Sequence, residues 1–101
     1  MDKLKASALE NFIPIVRDRT ANYLIEECKK VEPKRILEIG TAIGYSGLLM
    51  LQATQADLVT IEKNEERYKQ AQENFKQYGL LSRVTLLLGD ALEKLEQLRK
   101  R

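Results

Sequence analysis

The stretch Arg35-Ile36-Leu37-Glu38-Ile39-Gly40-Thr41-Ala42-Ile43-Gly44-Tyr45-Ser46 decides the fold. Arg35 to Ile39 is a short apolar run bounded by Pro33 upstream and Gly40 downstream, the pattern of a strand buried on both faces of a parallel sheet. Gly40, Thr41, Ala42 and Gly44 follow as a turn of small residues. Ser46 to about Ala53, with Leu48, Leu49, Met50 and Leu51, is apolar nearly all round and predicts a buried helix. Such a turn serves either as a plain tight turn or as a place where a ligand approaches the backbone and meets free amide donors at a helix start.

Downstream, Leu58-Val59-Thr60-Ile61-Glu62 predicts a second strand, and Asn64 caps a helix whose stripe is Tyr68, Ala71, Phe75 and Tyr78. Gly79 closes that helix. Arg83 to Leu88 predicts a third strand ending at Gly89, and Asp90 with Glu93 marks a last helix with the core stripe Leu92, Leu95 and Leu98. Upstream, Leu4, Ala8, Leu9 and Phe12 recur at helical steps before Pro14. Asp18 is the expected cap of a second helix carrying Ala21, Leu24, Ile25, Cys28 and Val31, stopped by Pro33. The order predicts an α/β fold. Two N-terminal helices (1–32) precede a βαβαβα unit (33–101) whose right-handed crossovers lay three parallel strands in the order 3-2-1.

The chain has 101 residues, 44% of them apolar, enough for one domain with one core. Its charge of +2 comes from 17 basic and 15 acidic residues scattered along the sequence, which is no electrostatic footprint for nucleic acid. The basic tail Arg99-Lys100-Arg101 reads as a solvated helix end. No apolar run has the length of about 20 residues that a membrane span needs. The single cysteine, Cys28, sits on an apolar helical stripe, and with no histidine in the chain it lacks the usual base for a catalytic thiol. It reads as a buried small hydrophobe in a soluble, reduced, cytoplasmic protein.

Three strand ends carry groups suited to ligand chemistry. At the first, Ala42 and Tyr45 break the dinucleotide fingerprint G-x-G-x-x-G, and no Gly-Lys-Ser or Gly-Lys-Thr supports a phosphate loop. What remains is Glu38-x-Gly40 with Gly44 four places on. A carboxylate in so apolar a strand needs a donor, which a ligand ammonium would supply. At the second, Glu62 lies where an acid can accept hydrogen bonds from both hydroxyls of a ribose. A solvated strand-end carboxylate is the alternative. At the third, Gly89-Asp90-Ala91 offers an amide and a short carboxylate to an adenine edge, with Asp90 also capping the helix. All three lie on the carboxyl edge of one sheet, where such folds bind ligands.

The turn from Arg35 to Ser46, with Val59-Thr60-Ile61-Glu62 and Gly89-Asp90-Ala91-Leu92, resembles the bacterial O-methyltransferases related to the catechol and caffeoyl-CoA enzymes. The branch that methylates hydroxyuridine in tRNA is the nearest in look. The resemblance runs from about Ile13 to the end and implies half of a Rossmann-like methyltransferase fold binding S-adenosylmethionine, with S-adenosylhomocysteine as product. It implies that Glu38 and the amides near Gly40, Thr41 and Gly44 face the methionine part, and that Ser46 bonds its amino-acid end. Glu62 would hold the ribose, Asp90 and Ala91 would contact adenine, and Val16, from Ile13-Pro14-Ile15-Val16, would lean over the cofactor.

Members of this family run well beyond this length and hold a divalent metal on an aspartate after a fourth strand and on later residues. The metal, the acceptor site and any contact with nucleic acid are therefore expected only in a full-length parent, and no catalytic residue is expected here. The chain reads as a truncated portion, inactive alone and self-associating through its exposed first-strand edge. The competing readings are a small self-associating α/β binding or structural module without methyl transfer, and a nicotinamide-dependent oxidoreductase, which the failed fingerprint disfavours.

Overall fold

The computed structural model describes residues 1–10 and 18–99. Helices α1 (Asp2–Glu10) and α2 (Asp18–Val31) precede β1 (Arg35–Ile39), α3 (Tyr45–Gln52), β2 (Asp57–Glu62) and α4 (Glu65–Gln77). A 3-10 turn (Leu81–Arg83), β3 (Val84–Leu88) and α5 (Ala91–Arg99) complete the chain. Phe12, Ile13, Pro14, Ile15 and Val16 lie outside the described residues, as do the side chains of Ala8, Leu9 and Asp18.

The strands form one parallel sheet in the order β1-β2-β3, the expected order read from its other edge. Ile36 pairs with Leu58 and Leu58 with Val84; Glu38 pairs with Thr60 and Thr60 with Leu86. Side chains at paired positions of parallel strands share a face, so these residues look one way. The core forms there, around Leu48, Leu51, Leu58, Ala71 and Phe75, all fully buried, with Ile36, Val84 and Leu86 packed against it. Right-handed crossovers put α3 and α4 on this same face. α2 packs against α3, and Leu4 of α1 joins the cluster.

Local signals act where the sequence puts them. Asn64 accepts from the Arg67 amide at 3.0 Å and starts α4. That helix ends in a Schellman arrangement: Gly79, at φ +71°, donates to the Lys76 carbonyl, and Leu80 donates to that of Phe75. Asp90 accepts from the Glu93 amide at 3.1 Å and starts α5. α3 is buried along Tyr45, Gly47, Leu48, Met50 and Leu51, as its composition predicts.

Four expectations are corrected. β1 is not buried on both faces: Leu37 and Ile39 are each 53% exposed, because β1 is an edge strand and the second face of the sheet receives only α5 among the described residues, packed against β2. Leu92 is 79% exposed, since that short helix seats itself through Leu95 and Leu98 instead. Val31 lies exposed at the C-terminal end of α2, where Glu32 at φ +51° turns the chain away. Arg83 belongs to the 3-10 turn, and its guanidinium donates to the carbonyls of Thr54 and Ala56 at 2.7–3.0 Å, tying the entry of β2 to that of β3. No helix among the described residues is long and apolar enough to cross a membrane.

Candidate functional site

At the carboxyl edge of the sheet the three strand ends are stitched together by backbone bonds. Gly40 and Thr41 donate to the Ile61 carbonyl at 2.8 and 3.2 Å, and Gly89 donates to that of Glu62 at 2.9 Å. Beside this seam lies a cleft of about 430 Å³ lined by Ile39, Gly40, Ala42, Ile61, Glu62, Lys63, Arg67, Gly89, Asp90 and Ala91. It is within the size range of small-molecule sites and has the usual mix of apolar walls and few polar groups. A larger cavity of about 670 Å³ opens between the C-terminal ends of α2 and α3, near Cys28, Lys29, Lys34 and Gln52. None of the strand-end acids lines it, so the smaller cleft is the candidate site.

Glu62 is the best-defined group in the cleft. It is 6% exposed, and each carboxylate oxygen accepts one backbone amide: Oε1 from Ala42 at 2.7 Å and Oε2 from Asn64 at 2.9 Å. The solvated alternative is thereby excluded. Two amides from different loops fix its orientation, and each oxygen keeps acceptor capacity for a further donor. Gly40, at φ +85°, presents its α-carbon to open space, since a side chain built there would meet nothing within 4 Å. Asp90 stands exposed at the far wall, one oxygen capping α5.

Behind the cleft, polar groups of the turn bond to one another. Thr60 donates to Glu38 at 2.7 Å and Ser46 donates to Glu38 at 2.5 Å. Thr60 has one proton, so the 2.6 Å contact between the Thr41 and Thr60 hydroxyls is a donation from Thr41. The need of Glu38 for donors is thus met within the chain by Ser46 and Thr60, where a ligand ammonium was the expected donor. Burial pushes its carboxyl above the ordinary range; the Ser46 and Thr60 hydrogen bonds pull it down, and the charge of Glu62 adds to the rise. Thr41 is 1% exposed, with both its hydroxyl and its amide engaged. The amides of Gly40, Ala42 and Gly44 are engaged too, so these donors of the turn serve its own shape and not an open ligand site.

That shape is supported from below. Ala42 takes φ +50° and Gly44 φ +91°, and a side chain at Gly44 would press on Phe75 at 3.2 Å. Only glycine combines that conformation with so close a neighbour. Asn74 donates its side-chain amide to the Ile43 carbonyl at 2.8 Å. Of the predicted residues, Gly40, Glu62, Asp90 and Ala91 meet in the cleft, while Glu38, Thr41, Gly44 and Ser46 build the turn beside it. Val16 lies outside the described residues. Sequence reasoning missed Thr60, whose signal is a hydroxyl in the middle of an apolar strand. It also missed Arg67 as a lining residue of the cleft, signalled by its place in the first helical turn after the end of β2.

The sequence profile of the O-methyltransferase family matches residues 3–101. A protein-L-isoaspartate O-methyltransferase of Thermosipho melanesiensis is 39% identical over 75 residues, 69% of this chain and 37% of that protein. The solved structure of a proposed caffeoyl-CoA O-methyltransferase from Staphylococcus aureus superposes with a TM-score of 0.90 at 34% identity, covering 95% of this chain and 46% of the other. An O-methyltransferase from Bacillus cereus, solved with S-adenosylhomocysteine, gives a TM-score of 0.86 at 28% identity over 97% and 46% of the two chains. The chain spans less than half the length of each of these proteins. With its half of a Rossmann-like sheet and a match across nearly all of its length, this chain belongs to the O-methyltransferase family, whose cofactor is S-adenosylmethionine.

Proposed function

We propose that this chain supplies the adenosine-binding portion of an S-adenosylmethionine-dependent O-methyltransferase. The observation that carries the reading is Glu62, a buried carboxylate held by two backbone amides at the end of β2 in the cleft that Gly40, Asp90 and Ala91 also line. Its remaining lone pairs suit the two hydroxyls of a ribose. Asp90 and Ala91 take the adenine edge, and the bare α-carbon of Gly40 lets the ligand pass close to the backbone. Ser46 gives its proton to Glu38, so its oxygen is left as an acceptor for the ammonium of a methionine moiety. Glu38, Thr41 and Gly44 hold the turn in shape for this, and the resemblance to the family adds Val16 as a cofactor contact.

S-adenosylmethionine, when bound, supplies an electrophilic methyl group that passes to an acceptor oxygen. The residues present would bind and orient it; the acceptor and a metal to position it belong to a longer protein. The acceptor there is a hydroxyl, of a tRNA hydroxyuridine or of a small molecule, and the chain alone is inactive in methyl transfer. We place it in the cytoplasm, where the free thiol of Cys28 stays reduced. Alone, it self-associates through the open edge of β1.

Isothermal titration tests the cofactor reading. S-adenosylhomocysteine is expected to bind and NAD is not, and Glu62→Gln is expected to weaken binding at least tenfold, because one acceptor oxygen becomes an amide donor. Equal binding of both ligands, or unchanged affinity in Glu62→Gln, would refute it.

A further inference from the structure

Arg67 stands in the first turn of α4, half-buried, on the wall of the cleft that also carries Glu62 and Asp90. Its backbone amide is engaged by Asn64, yet its guanidinium has no hydrogen-bond or ion-pair partner among the described residues. Neither carboxylate of the cleft neutralises it. The other cations of α4 differ: Lys69 pairs with Glu65 on the exposed side of the helix, and Lys76 lies in the last turn, away from the cleft. Beside the charged Glu62, Lys63 and Asp90, the cleft around Arg67 has apolar walls in Ile39, Ala42, Ile61 and Ala91. A flat aromatic base fits such walls, and a planar guanidinium beside it can stack on the face of the base, where an ammonium offers only a point charge.

We propose that Arg67 is a specificity-determining residue for the purine of the bound nucleoside, its guanidinium lying against the ring while Glu62 takes the ribose. The inference rests on the cofactor reading above and adds a residue to it. The contact is with the base, so it is blind to the methionine end of the ligand. S-adenosylhomocysteine and 5′-methylthioadenosine share the nucleoside and differ in that end, and they separate the two.

In titrations with the full chain, Arg67→Ala is expected to lower the affinity for both compounds by the same factor, roughly tenfold, between the exposed and the desolvated values for a cation–aromatic contact. Arg67→Lys keeps the charge and loses the plane, and should recover only a small part of that loss. The melting temperature of both variants without ligand should stay at the parent value, because the side chain makes no hydrogen bond or ion pair among the described residues. Unchanged affinity in Arg67→Ala, with Glu62→Gln still impaired, overturns the proposal and leaves the cofactor reading standing. Full recovery by Arg67→Lys overturns it in favour of a plain charge effect, and failure of the parent chain to bind either compound overturns both readings.

Discussion

Glu38 shows how one residue can be polar, half-buried and useful to the fold. Its carboxylate collects the hydroxyls of Ser46 and Thr60, and through Thr60 that of Thr41, so one acid ties β1, β2, the turn and the start of α3. Burial raises its pKa above the ordinary value of 4.5. A carboxyl that holds its proton more tightly when folded stabilises the fold below pH 4.5 and loses that contribution as pH rises through the raised folded value. Glu38→Gln removes the titration. Melting temperatures across this window should therefore fall with pH more in the parent than in Glu38→Gln, and parallel curves would contradict the assignment. Glu38→Leu leaves the Ser46 hydroxyl without its acceptor and should cost about 1–3 kcal/mol at any pH.

At the scale of elements, Phe75 is the post on which the turn rests. It comes from α4, is fully buried, and touches the space above both Gly44 and Gly47. Phe75→Ala should cost about 3–5 kcal/mol in denaturant unfolding, through lost burial and the cavity left behind. Gly47→Ala tests the same contact from the other side. Helix propensity favours alanine by about 1 kcal/mol, but the added carbon would sit 2.8 Å from Leu58 and 3.1 Å from Phe75 in a filled core. Overpacking of about 1–3 kcal/mol outweighs the gain, so net destabilisation is expected. A more stable Gly47→Ala would show that the core yields there.

For the whole molecule, the open edge of β1 is the dominant feature. Its backbone lacks a neighbour on one side among the described residues, and Leu37 and Ile39 lie exposed on the thinly covered face. Unpaired edges with apolar side chains recruit other strands. Sedimentation velocity on this chain should show mass rising with concentration, and Leu37→Lys should shift it toward monomer by placing a charge on that edge. A monomer at all concentrations would remove the self-association proposal.

The sequence alone determined the element order, the parallel sheet, the helix caps at Asn64, Gly79 and Asp90, and the strand ends that carry Gly40, Glu62, Asp90 and Ala91. These are local matters, set by apolar periodicity and by side chains that satisfy nearby backbone groups. The spacing of Glu38, Gly40 and Gly44 was legible as well, but the task of Glu38 was not. Its donors Thr60 and Ser46 lie 22 and 8 residues away and meet it only when β2 pairs in register and α3 folds back. In the same way only the tertiary structure showed that the amides of the turn are engaged and that Leu37, Ile39 and Leu92 stay in solvent. It also brought Arg67 to the cleft without a side-chain partner among the described residues. Burial and partnership depend on which elements meet, and periodicity records only which residues could be buried.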